Sequence, residues 1–225
     1  MSELPPFLYH GTSEARYQAM LAAGELRPRG EEKGNWAHTE VSHPEAIYLT
    51  QCYALYFAVC ATEDDGVGIV LEVSTESLDR NRLAVDEDAL ALAGRKDANS
   101  PRKATERAAR AKQIMPMGFE AALESLRVMG TCAYLGIIPM TAVRRVLRID
   151  WKQSKMLRHQ ALEPVISPMN YKLFGAGYEK LTHWAFGDPP TPDVPIRFDV
   201  VTPSNRDGLQ VLPLPQCDTR TKASR

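Results

Sequence analysis

Apolar and polar positions along the chain switch repeatedly between a two-residue and a 3.6-residue period, and the switches mark the predicted elements. Phe7-Leu8-Tyr9-His10 is short, apolar and aromatic and predicts a first strand, with Gly11-Thr12-Ser13 as the turn and helix cap that follow. From Ser13 to Ala23, Tyr17, Met20 and Leu21 recur at helical spacing, and Gly24 stands where a left-handed residue stops a helix. Arg27 to Pro44 is rich in Gly, Asn, Pro and charge and holds Trp36 and His38. A loop of that length predicts a functional or mobile segment, in the manner of a lid. Ala46 to Thr50 predicts a second strand. It runs directly into an apolar helix through Tyr53, Tyr56, Phe57 and Cys60, closed by a turn at Glu63-Asp64-Asp65-Gly66.

Gly68 to Val73 is β-branched and predicts a buried strand, and Leu78 to Leu83 another short extended piece. After Asp86 the pattern turns helical, breaks at Asn99-Ser100-Pro101, resumes as an Ala/Arg-rich basic helix and breaks again at Pro116. Phe119 to Met129 predicts an amphipathic helix stopped by Gly130. Thr131 to Ile138 predicts a strand ended by Pro139, with Val143 to Ile149 as its hydrophobic partner. Beyond this point the pattern is less regular. Tyr171 to Phe186 predicts helix and aromatic packing, Gly187 to Pro195 is Pro-rich, and Asp218 to Arg225 predicts a disordered tail.

A chain of 225 residues can bury one large core, and 44% hydrophobic with 24% charged residues excludes both wholesale disorder and a fibrous repeat. No apolar run approaches a bilayer crossing, and Glu3 with two prolines stands where a signal peptide needs an apolar stretch. A cytoplasmic protein without a membrane partner is expected. Cys52, Cys60, Cys132 and Cys217 form no C-x-x-C pair and predict reduced, buried thiols. The histidines His10, His38, His43, His159 and His183 lack metal-ligand spacing, so no metal is expected. No glycine-rich phosphate loop follows a strand, since Gly66-Val67-Gly68 precedes one.

The net charge of −1 conceals an asymmetry. Residues 95–158 carry 14 Lys/Arg against 5 Asp/Glu, leaving +9 there and −10 over the rest. Two clusters dominate, Gly94 to Lys112 and Arg144 to Arg158. Such clusters attract phosphate-bearing partners, although a solvated helix face gives the same pattern, and they make nucleic acid a candidate partner through Arg107 and Arg110.

Three segments carry the candidate chemistry: Leu8 to Ser13 (LYHGTS), Ala46 to Ala58 (AIYLTQCYALYFA) and Gly130 to Val146 (GTCAYLGIIPMTAVRRV). Together they resemble the ADP-ribosyltransferase fold family, in the branch whose first two signature positions are His and Tyr. The resemblance covers about the first 150 residues and rests on the order and spacing of short motifs. It implies an α+β fold with a split β-sheet core and flanking helices. The catalytic core would occupy 1–150, a C-terminal extension packed on it 151–217, and the tail 218–225. It also implies that NAD is the co-substrate. His10 and Gly11 would contact the nicotinamide ribose and carboxamide, and Tyr48 would stack on the nicotinamide ring. A residue of the Thr131–Ile138 strand, Thr131 or Tyr134, would stand at the third catalytic position, where transferases often have Glu. This strand offers no acid; Glu120 and Glu124 lie in the preceding predicted helix and Glu72 in the Gly68–Val73 strand. Thr12 is a further candidate NAD contact or helix cap. Tyr56 is a candidate cofactor contact, although Tyr53, Tyr56 and Phe57 at helical spacing fit a core face better. Trp36 and His38 are candidates for acceptor or adenine contacts.

These residue types suit the chemistry. Cleaving the nicotinamide–ribose bond builds oxocarbenium-like charge, so a site must pin the ribose and the leaving ring and exclude water. A neutral imidazole bonds a sugar hydroxyl, a glycine lets backbone approach the carboxamide, and a tyrosine face offers a stacking platform. The expected activity is mono-ADP-ribosyl transfer to an RNA or DNA base or to a protein, of the toxin or phage-defence kind. A toxin would imply a neutralising antitoxin or inhibitor protein. Two alternatives stand beside it. The related NAD-dependent RNA 2′-phosphotransferases share the fold and the first His but carry Arg immediately before it, where this chain has Tyr9. A catalytically inactive binder of NAD-like ligands or protein would account for the missing acid.

Overall fold

In the computed structural model of the chain, which describes residues 3–30, 42–62, 66–93, 103–113, 115–188 and 206–212, the first apolar segment forms strand β1 (Phe7–Ser13). It runs three residues past the predicted end. Ser13 alone therefore caps helix α1 (Glu14–Ala23), accepting from Arg16 N–H, and Thr12 is not the cap. Gly24 ends α1 in the left-handed region, as its position predicts.

Strand β2 (Glu25–Leu26) bridges to β7 (Ile138–Pro139). This corrects the expected Thr131–Ile138 strand: Gly136 turns the chain at φ 107°, so β6 is Thr131–Leu135 and Pro139 lies inside the next strand. Proline is tolerated there because β7 is an edge pair with no further neighbour.

Strand β3 (Ala46–Thr50) turns sharply into α2 (Ala54–Ala61). Thr50 makes the corner: its Oγ1 accepts from Cys52 and Tyr53 N–H and donates to Gly130 O. Strand β4 (Val67–Ser74) is buried along its whole length. The extended piece expected at Leu78–Leu83 instead holds a 3₁₀ turn at Arg80–Arg82, after another at Thr75–Ser77, and only β5 (Leu83–Ala84) is a strand. Asp79, accepting from Asn81 N–H, favours the turn over a strand.

Helices α3 (Glu87–Ala93), α4 (Ala104–Gln113) and α5 (Phe119–Met129) follow the predicted pattern, and the break at 99–101 lies outside the described residues. Strand β8 (Val143–Asp150) is followed by α6 (Lys155–Leu162), which lies where the apolar pattern along the sequence is irregular. Helix α7 (Pro168–Ala185) starts three residues earlier than predicted, because Ser167 caps it and Pro168 suits its first turn. Strand β9 is Leu209–Leu212.

The seven-stranded sheet has the order β5-β6-β3-β1-β4-β8-β9, with every paired neighbour antiparallel. The molecule is thus α+β. One sheet face buries Leu8, Ile47, Leu49, Leu71 and Val146 with Tyr17 of α1 and Leu126 of α5. The other buries Tyr9, Val70 and Leu147 with Ala58 of α2, Leu157 of α6 and Leu181 of α7. Residues beyond 150 therefore share a core with the strands before it, and β9 extends the same sheet.

One seam is unlike the rest. Strand β1 is registered with β4 at seven positions, Phe7 opposite Ser74 through Ser13 opposite Gly68, but with β3 at Tyr9 opposite Thr50 alone.

Candidate functional site

His10 sits at that seam, one residue past the Tyr9–Thr50 pair. Its Nδ1 lies 3.0 Å from Tyr48 O, so the imidazole occupies the place of the ladder bond that would otherwise continue β1 onto β3. A carbonyl only accepts, so Nδ1 carries the proton and the neutral ring keeps Nε2 as an acceptor. Burial lowers the His10 pKa below its ordinary 6.5, and the nearby cations Arg16 and Arg29 press it the same way, while the bond to Tyr48 O opposes them. The imidazole is held neutral and in one tautomer at neutral pH.

Gly11 owes its identity to a close approach. A methyl group there would lie 2.3 Å from Ala54 O and 2.5 Å from Ala58 N, so only glycine lets α2 lie against β1. Thr12 is 2% exposed and points into the protein.

Tyr48 is the partly exposed member of a strand whose other side chains are buried. Ile47 and Leu49 enter the main core, while Tyr48 packs with Ala46, Ala84 and Ala133 on the opposite face. Extending the Tyr9–Thr50 register places Tyr48 opposite Gly11 and Leu49 opposite His10, so the phenol lies on the sheet face where α2 packs against Gly11, and His10 stands on the face of Leu49 with its ring reaching back to Tyr48 O. The phenol oxygen is fully engaged: it donates to Glu87 Oε1 and accepts from His43 N–H at 2.9 Å, and His43 N–H also reaches Glu87 Oε1 at 2.7 Å. Burial and then the Glu87 carboxylate hold its pKa above the ordinary phenol value, so it stays protonated.

Glu87 was not foreseen as a site residue. Asp86-Glu87-Asp88 read as the start of a helix, and the only sequence-level signal was three acids in a row before an apolar Ala/Leu run. In the fold Glu87 is 0% exposed, and its Oε2 has no hydrogen-bond partner among the described residues. Asp86, also buried, is pushed up to about 6 by burial and then by the Glu87 charge; its Oδ1 accepts from Ala89 N–H and caps α3. Thr131 lies on this side too. It is paired opposite Thr50, 1% exposed, with a buried hydroxyl that makes no geometrically complete bond although it faces Asp86 closely enough to lower its pKa.

The other predicted residues are not brought to the seam. Tyr134 is 5% exposed, opposite Ile47 and Leu83 in the main core. The Tyr56 ring belongs to an aromatic group with Tyr53, Phe57, Tyr171, Phe174 and Tyr178, edge-on to Phe57 at 5.7 Å. Trp36 and His38 lie outside the described residues, as does Cys217. Arg107 and Arg110 are on α4, the first partly buried and the second exposed. Of the acids weighed from sequence, Glu124 forks onto Arg127 on the surface. Glu72 is bonded by Arg145 Nε at 2.8 Å and Nη2, and Arg145 also reaches Asp188.

No protein-family model matches the chain, and no curated protein matches it. Among the described residues no helix is long and apolar enough to cross a membrane.

Proposed function

We propose that the chain is an NAD-dependent mono-ADP-ribosyltransferase of the ADP-ribosyltransferase fold, with the nicotinamide half of NAD bound where β1 and β3 part. The observation that carries this reading is the seam. The sheet's continuity lapses beside His10-Gly11, a neutral imidazole with a free acceptor nitrogen is clamped across the gap, and the Tyr48 ring flanks the same gap from the other face of the neighbouring strand. His10 Nε2 accepts from a ribose hydroxyl, the Tyr48 ring carries the nicotinamide, and Arg16 and Arg29 bias the potential beside His10 toward the pyrophosphate charge. Bond cleavage releases neutral nicotinamide and leaves cationic ribose for the acceptor, so positioning and water exclusion dominate over proton transfer. A nucleic-acid base is the favoured acceptor because of the basic helix α4, with protein as the other class, and an effector of this kind works in the cytoplasm and is restrained by an antitoxin or inhibitor protein.

The test is incubation with NAD labelled in the adenylate moiety, together with RNA, DNA and protein acceptors, followed by mass analysis. Nicotinamide release with an added ADP-ribosyl mass on one acceptor is the expected result. Loss of an RNA 2′-phosphate would instead make the chain a phosphotransferase, and binding of NAD without turnover an inactive binder; either outcome sinks the proposal.

A further inference from the structure

The geometry points to Glu87 as a specificity-determining residue: its buried carboxylate polarises the Tyr48 phenol so that the ring selects the cationic, oxidised nicotinamide over the neutral dihydronicotinamide. The inference rests on the reading of the β1–β3 seam as the nicotinamide site.

Four observations carry it. The Tyr48 oxygen is engaged by both Glu87 and His43 N–H, and Tyr48 is the partly exposed residue of an otherwise buried strand. The ring packs with the small residues Ala84 and Ala133. The hydroxyl donates to a carboxylate, the strongest class of acceptor available to a phenol, and donation shifts electron density into the ring. Glu87 is wholly buried, yet among the described residues only one of its oxygens is bonded.

That last point separates a functional from a merely structural reading. Burying a carboxylate costs several kcal/mol unless its lone pairs are satisfied, and each buried unsatisfied polar atom calls for an explanation. Anchoring a tyrosine needs an acceptor but no charge, and a glutamine would supply one with less desolvation. What a carboxylate adds is negative charge behind the ring. A pyridinium stacked on the far face of an electron-rich phenol gains a cation–π attraction that a neutral dihydropyridine lacks. Asp86 and Asp88 flank Glu87 and deepen the same potential; Asp88 Oδ2 accepts from Ser42 Oγ at 3.0 Å.

The experiment compares dissociation constants, at pH 7.5, of carbocyclic NAD, which keeps the pyridinium but has no cleavable glycosidic bond, and of its dihydro form. Wild type is expected to favour the oxidised form roughly 3- to 30-fold, with a charge-transfer absorption band from the stacked pair. Glu87→Gln keeps an acceptor for the phenol and removes the charge, so it should bind both forms alike and lose the band, while its melting transition stays cooperative. Tyr48→Phe, which keeps the ring and removes the polarising bond, should also lose the preference, and it serves if the glutamine variant does not fold. A glutamine variant that retains the wild-type ratio overturns the role of Glu87 and leaves the nicotinamide site standing. If wild type binds neither form, the site itself is wrong and the inference falls with it.

Discussion

At the scale of single residues, the two histidine nitrogens have separate tasks, and pH exposes the division. Nδ1 is committed to Tyr48 O, so acidification adds its proton at Nε2, the atom assigned to the ribose. The folded pKa is below 6.5, which means that neutral His10 stabilises the fold fully above that value and that the contribution is lost as pH falls through the lowered pKa. NAD affinity measured from pH 5 to 8 should therefore be flat above 6.5 and decline only below it, with the limb absent in His10→Gln. A midpoint at or above 6.5 would contradict the assignment. His10→Ala removes a single bond to a partly buried carbonyl and should cost only about 1 kcal/mol. Sequence spacing alone suggests that Tyr48→Ala would be equally benign. The fold argues otherwise, because that variant strips Glu87 of its phenol donor, and Tyr48→Phe is the gentler probe.

At the scale of elements, β1 and α2 meet through one bare α-carbon. Gly11→Ala would push backbone atoms of Ala54 and Ala58 aside and should cost roughly 2–3 kcal/mol, seen as a melting point several degrees lower; an unchanged melting point would mean that α2 can withdraw freely from the strand. The start of α3 makes a second prediction. Asp86 has a folded pKa of about 6 against an ordinary 3.8, so the fold prefers its protonated form, and stability drains away as pH rises from about 4 to 6. Asp86→Asn keeps a cap for Ala89 N–H without the charge. It should gain on wild type above pH 6 and show no gain at pH 4, as followed by denaturant melts at both values. Strands β1, β3, β4 and β8 and helices α1, α2, α5 and α7 were legible because their apolar periodicity is strong and their stops are Gly, Pro or capping Ser. The two-residue strands β2, β5 and β7 are too short to show a period, and β9 is a mostly exposed edge strand without an inward apolar face to read. His10, Gly11 and Tyr48 stood out by chemical type; Glu87 did not, since its importance arises from a contact 39 positions away in sequence.

At the scale of the whole molecule, regional charge and surface charge are different things. Of the arginines on β8, Arg145 is bound by Glu72 and Asp188, and Arg148 by Glu14, so two of the six basic residues of the Arg144–Arg158 cluster are paired with acids. Arg145 also joins the sheet to the end of α7: it reaches Asp188 and lies 4.8 Å from the Phe186 ring centre. Arg145→Met would leave Glu72 buried without its cation at a cost of roughly 2–4 kcal/mol, and Glu72→Gln in the same chain should recover part of the lost melting temperature. Helix α4 carries part of the other basic cluster, and Arg107 and Arg110 on it are the residues assigned to a phosphate-bearing acceptor. Each arginine–phosphate contact on single-stranded RNA releases counterions and adds about 0.7 to the slope of log affinity against log salt. Replacing Arg107 and Arg110 by Gln should therefore lower the slope for an RNA acceptor by about 1.4, leave NAD binding unchanged, and raise the acceptor KM most at low salt. Because Arg107 is partly buried, a melting curve checks that α4 is intact, and Arg110→Gln alone, at an exposed position, should lower the slope by about half as much. An unaltered slope in both variants would move the acceptor away from α4 and leave the charge asymmetry as a property of the sequence without a binding face.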